Sequence, residues 1–249
     1  MLTVRVPAHS SHRGLRASAL LNLAASGLLA LIIGAAIGHA SDLGPGFLLT
    51  AAALCLLGAT ALFVLLPHRL PGDRFGKANS VTAIRLALTC VLAAALVTPA
   101  WSGKLAWSLV ALAATALALD GFDGWLARRY REATRFGARF DMEVDALFLL
   151  VLALLVAAVG KAGLWILLAG LWRYGFVAAL ALWPALQQPL PPSQRRKWAF
   201  VAQAVLLIVC LAPSVSSALA PWLAGCGLAL LSASFSLDLL WLYRHRTSR

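Results

Sequence analysis

The chain has 249 residues, 61% of them hydrophobic, and a mean hydropathy of +0.85. A water-soluble globular domain is about 45–50% apolar, so this composition excludes one as a description of the whole chain. The 21 Lys and Arg against 9 Asp and Glu give a charge of +12. On so apolar a chain that excess marks the cytoplasmic loops of a membrane protein and not a nucleic-acid footprint, and no nucleic-acid motif is present.

A spanning helix needs about 20 apolar residues at 1.5 Å each. Eight such segments follow one another, at about 17–38, 47–67, 79–99, 105–126, 142–160, 162–183, 198–215 and 221–243. The expected fold is therefore all-α, a polytopic membrane helix bundle. The first segment follows Arg5, Arg13 and Arg16 and ends at Gly38-His39-Ala40, as a signal peptide can. Its apolar run is long for one, so it is read as an uncleaved span. The second is followed by Pro67 and Pro71 and by Arg69, Arg74 and Lys77; the fourth by Arg128, Arg129, Arg131, Arg135 and Arg139. The sixth gives way to a connector with Pro184, Pro189, Pro191 and Pro192 that closes on Arg195, Arg196 and Lys197. Loops 40–46 and 216–220 have no Lys or Arg, and loops 100–104 and 160–162 have one each. Strongly basic loops thus alternate with weakly basic ones, which predicts both termini in the cytoplasm of a bacterial-type inner membrane. Cys55, Cys90, Cys210 and Cys226 lie in separate apolar runs without metal-ligand spacing and read as small buried hydrophobes.

The fourth and fifth segments hold carboxylates where lipid should forbid them. Asp120 and Asp123 stand near the cytoplasmic end of one helix, and Asp141 and Asp145 open the next. Acids at such depth mark a functional site by default. Residues three or four apart share a helical face, so each pair points one way. The short connector makes the helices antiparallel neighbours, and four carboxylates converge. Their mutual repulsion calls for a divalent cation, and hard oxygen ligands suit Mg2+ or Mn2+. Gly124, Ala127 and Gly137 leave room for a ligand at the backbone, and Arg128 is a bidentate donor for phosphate oxygens. Taken singly, these are helix caps, close-packing residues and a topogenic charge; taken together they describe a diphosphate site.

The whole segment reads D-x2-D-G-x2-A-R-x8-G-x3-D-x3-D from Asp120 to Asp145, with eight fixed residues at fixed gaps. It resembles the signature of the CDP-alcohol phosphotransferase family. Asn79, Thr82 and Arg85 match the Asn-x2-Thr-x2-Arg pattern that opens the family core, with Ala78 where Pro is common. The resemblance implies a six-helix catalytic core over 79–249 and places 1–78 as a two-span N-terminal extension. It implies that Asp120, Asp123, Asp141 and Asp145 hold the metal and that Asp145 is the general base. Asp120, Gly124, Ala127, Arg128 and Gly137 would bind the nucleotide and diphosphate, with Asn79 and Thr82 on the nucleotide side. A homodimer is a further implication.

The implied reaction moves a phosphatidyl group from CDP-diacylglycerol in the bilayer to an acceptor alcohol, releasing CMP. Arg173 interrupts an apolar helix, and with Arg195 and Lys197 it is the candidate site for a phosphorylated acceptor, glycerol 3-phosphate first. For Arg173 an ion pair with Asp238 is the structural alternative. Serine, inositol phosphate, a lipid acceptor or a soluble CDP-alcohol donor would use the same chemistry. A cation transporter is the competing class; it predicts acids spread across membrane depth, whereas these cluster at one end.

Overall fold

The computed structural model describes residues 11–67, 70, 74–98, 101–129, 134–183, 191 and 193–245, excluding the side chains of 11–13, 123–128 and 180. Arg5, Arg69, Pro71, Arg131, Pro184, Pro189 and Pro192, and the side chains of Arg13, Asp123, Ala127 and Arg128, lie outside the described residues. The fold is all-α. Its helices are α1 (Ser11–Ala40), α2 (Pro45–Leu65), α3 (Lys77–Ala94), α4 (Gly103–Arg129), α5 (Arg135–Ala158), α6 (Leu168–Leu182), α7 (Gln194–Leu211) and α8 (Ala220–Arg244).

Five segments are long and apolar enough to cross a membrane: Gly14–Ala40, Pro45–Leu65, Lys77–Val97, Gly103–Phe122 and Ala220–Arg244. The remaining three differ for physical reasons. α5 carries Asp141, Glu143 and Asp145 in its first half, and α7 opens on Arg195, Arg196 and Lys197. The span expected at 162–183 is an α-helix of 15 residues preceded by a 3-10 turn, Leu164–Leu167. Gly160 ends α5 at the expected turn. It takes a φ of 70°, and the Gly160 and Lys161 amides donate to the Ala157 and Val156 carbonyls, a Schellman end that stops α5.

Two compact units divide the chain: Met1–Thr98 with Thr115–Val144, and Pro99–Ala114 with Asp145–Arg249. In the first, α1 buries a stripe of Leu15, Ala19, Leu23, Ser26 and Ala30 at intervals of three and four. Ala19 and Leu23, with Leu62 of α2, join Phe75, Ala83, Phe140 and Val144 in one apolar cluster. Cys55 and Cys90 line a small cavity between these helices, and the Cys55 thiol approaches the Ala87 carbonyl at 3.7 Å. In the second unit, a Cβ on Gly170 of α6 would stand 2.6 Å from the Leu150 Cα, so that glycine lets two backbones meet. Gly227 of α8 gives the same room to the buried Gln203 of α7. The outward faces are Leu-, Val- and Trp-rich, as lipid requires.

Candidate active site

α3 begins at a glycine of positive φ, Gly76 at 84°, which turns the chain into the helix. The next residues present Asn79, Thr82 and Arg85 at intervals of three, all on one face and all buried. Arg85 is 2% exposed. A guanidinium that deep is tolerable only when paired. Its Nη2 lies 2.9 Å from Asp120 Oδ1 on α4, and its Nη1 donates to Asp141 Oδ1 on α5 at 2.6 Å. One side chain of α3 therefore clasps a carboxylate from each half of the acidic motif.

α5 is started by Thr134, whose hydroxyl accepts from the Gly137 amide at 2.9 Å, an N-cap bond. From this end the helix presents Gly137, Asp141 and Asp145 at intervals of four, on one face. Asp120, Asp141 and Asp145 offer carboxylate oxygens that all lie within 4.8 Å of one another. Opposite oxygens around Mg2+ stand about 4.2 Å apart, so small side-chain rotations would close the set on an ion. Among the described side chains, three carboxylates against Arg85 leave a formal surplus of two negative charges, which a divalent cation would offset.

Gly137 is fitted to Asn79. A Cβ at 137 would stand 2.7 Å from Asn79 Oδ1 and 3.1 Å from Thr134 Oγ1, so a side chain there would have to displace Asn79. Asn79 is itself fixed, its amide donating to the Phe75 carbonyl at 2.5 Å. Thr82 donates to the Ala78 carbonyl at 3.1 Å and faces the same buried side. Two residues expected on the nucleotide side, Asn79 and Gly137, are thus in contact although 58 positions apart in the sequence.

A family model for CDP-alcohol phosphatidyltransferase matches residues 75–232, from the turn before α3 into α8. The chain belongs to the CDP-alcohol phosphatidyltransferase family. No curated protein and no solved structure matches it. As a member of the family it is a multi-pass membrane transferase of phospholipid biosynthesis, taking a CDP-alcohol donor and an alcohol acceptor and using a divalent metal. The three described aspartates fit that metal in charge and donor type. Asp123, Gly124, Ala127 and Arg128 belong to the last turns of α4, and their side chains lie outside the described residues.

The candidate acceptor residues belong to the second unit. Arg195 is engaged with Asp238 of α8, a carboxylate only 7% exposed, and Arg196 reaches the same oxygen at 3.5 Å. Arg196 also donates to the Pro191 carbonyl at 2.6 Å. Arg173 stands half-buried on α6, and Lys197 is exposed. Arg85 enters the sequence pattern only as a motif position, although a lone Arg in an apolar helix signals a buried acid nearby. Arg195 and Arg196 both meet Asp238, the acid for which the sequence offers Arg173 as a partner.

Proposed function

We propose that the protein transfers the phosphatidyl group of CDP-diacylglycerol to glycerol 3-phosphate, releasing CMP. The observation that carries the transfer is the Asp120–Asp141–Asp145 set clasped by Arg85, inside the matched family region. Asp120, Asp123, Asp141 and Asp145 would hold the cation, Mg2+ or Mn2+. When bound, it neutralises the diphosphate and eases the departure of CMP. Asp145 takes the proton of the acceptor hydroxyl as that oxygen bonds to the phosphatidyl phosphorus and the bond to CMP breaks. Asn79, Thr82, Gly124, Ala127 and Gly137 serve the nucleotide, and Arg128 the diphosphate.

For a phosphorylated acceptor the support is charge. Arg195 and Arg196 share the single carboxylate of Asp238, so one positive charge remains for an anion. Arg196 Nη1 is buried without a hydrogen-bond acceptor among the described residues. Arg173 and Lys197 would complete that site. The alternation of basic loops supports a bacterial-type inner membrane, with both termini and the active site facing the cytoplasm. Residues 79–249 are the six-span catalytic core, and 1–78 are an addition to it.

The test is CMP release by the purified protein in lipid, with CDP-diacylglycerol, Mg2+ and one acceptor alcohol at a time. Release with glycerol 3-phosphate, abolished by chelation and lowered at least about 100-fold in Asp145→Asn, is the expected result. Release only with another alcohol would correct the acceptor. Release from none, in a folded sample that binds the donor, would remove the lipid-donor reading.

A further inference from the structure

The family match starts at residue 75, so α1 and α2 lie outside it and have no assigned task. Their polar residues point to one. In a membrane helix, Ser and Asn on a buried stripe serve as hydrogen-bonding contacts between helices. Ser18 and Asn22 of α1 both reach the start of α3. The Ser18 hydroxyl accepts from the Phe75 amide at 3.3 Å, and Asn22 Oδ1 accepts from Ser80 Oγ at 2.6 Å. Asn22 is itself oriented by donating to the Ser18 carbonyl at 2.8 Å. The two contacts advance together along both chains, so α1 and α3 run in the same direction.

Within the segment they hold, Ser80 bonds back to the Gly76 carbonyl through its amide at 3.1 Å and its hydroxyl at 2.9 Å, but no side chain caps the helix. Its N-cap, Gly76, has no side chain and takes a left-handed φ. Yet this segment carries Asn79. The Phe75 peptide is held on one side by Ser18, and its carbonyl receives the Asn79 amide on the other. Asn79 then rests against Gly137 of the acidic motif. The same extension buries apolar residues against α5: Ala19, Leu23 and Leu62 share a cluster with Phe140 and Val144, the neighbours of Asp141 and Asp145.

We infer that Ser18 and Asn22 are positioning residues: they hold the Phe75–Ser80 turn, and through it Asn79, in the geometry that the CDP-bearing donor meets. The part that concerns the donor rests on the function proposed above. Three variants test it: Asn22→Leu, Ser80→Ala and the double variant, with Ser18→Ala as an independent cut. Asn22→Leu and Ser80→Ala both cut the Asn22–Ser80 bond, the first also losing the Asn22 bond to the Ser18 carbonyl and the second the Ser80 bond to the Gly76 carbonyl, and Ser18→Ala cuts the bond from the Phe75 amide; packing volume is nearly retained in each. Amide hydrogen exchange across 74–80 is measured in the full-length protein in lipid, together with KM for donor and for acceptor. Expected are faster exchange confined to that segment, a donor KM raised about three- to tenfold, and an acceptor KM unchanged. Asn22→Leu and Ser80→Ala together should cost less than the sum of the two, because they share one bond. Unchanged exchange at 74–80 overturns the inference, as does a uniform rise in exchange over the whole chain. Changed exchange with both KM values moved equally reduces the pair to general packing and overturns the donor role. If the wild type releases no CMP, the proposed reaction falls, while exchange at 74–80 still decides whether α1 holds the turn.

Discussion

The molecule contains two clusters of the same ingredients in inverse proportion. In one, Arg85 pairs with Asp120 and Asp141 of a three-carboxylate set; in the other, Asp238 pairs with two arginines. Both counter-charges are buried, Arg85 at 2% exposure and Asp238 at 7%. In each, one buried minority charge meets an excess of the opposite sign. Under the function proposed above, the carboxylate cluster would take a divalent cation and the guanidinium cluster a phosphate. A buried ion pair is weak evidence of stability in itself, since desolvation offsets much of the attraction.

The comparison can be broken most severely at the cation side. Asp141→Asn removes both a ligand and one hold of Arg85, and CMP release should fall roughly a thousandfold, with the Mg2+ requirement shifted upward. A variant that retained Mg2+ affinity would show that the carboxylate cluster is not the metal site.

Next comes the counter-charge. Arg85→Met leaves Asp120 and Asp141 without their guanidinium, a loss of about 3 kcal/mol, toward the low end for buried pairs because Asp141 is 35% exposed. The unfolding midpoint should drop in chelator and recover in part when Mg2+ is added, because the cation can then supply the missing positive charge. A drop that Mg2+ does not touch would separate Arg85 from the metal site.

Gly137→Ala sharpens the comparison by moving neither charge. Its Cβ would displace Asn79 and strain the site by about 1–3 kcal/mol. Donor KM should rise with the acceptor KM unmoved.

The smallest effect is expected at the anion side. Asp238→Asn frees Arg195 and Arg196, both more than 30% exposed, at a cost to stability of about 1 kcal/mol or less. Acceptor KM should change for a phosphorylated acceptor, while donor KM stays constant. The opposite pattern would assign the arginine cluster to the donor.

The acidic motif was legible because its chemistry is expensive: four Asp at fixed gaps in an apolar chain admit few explanations. Membrane character and helix content were equally legible, since hydropathy over about 20 residues is a summed property. The sixth span was less so: its apolar run is continuous in the sequence, but its first turn is 3-10 and the α-helix proper covers only Leu168–Leu182. The task of Arg85 was hidden for another reason. Its partners lie 35 and 56 positions away, and only the packing of α3 brings it to both acids. In the same way the approach of Arg195 and Arg196 to Asp238 spans about 40 positions and depends on how α7 packs against α8.

By itself the sequence determined the all-α membrane class, the family signature and the acids that must converge. Those follow from local composition and spacing, which every residue reports about its own neighbourhood. Tertiary structure alone decided which guanidinium answers which acid, what a side chain at 137 would meet, and that an N-terminal helix outside the family match bonds to the turn before Asn79. Each of these is a contact between distant segments, set by how helices pack and not by the period of any one of them.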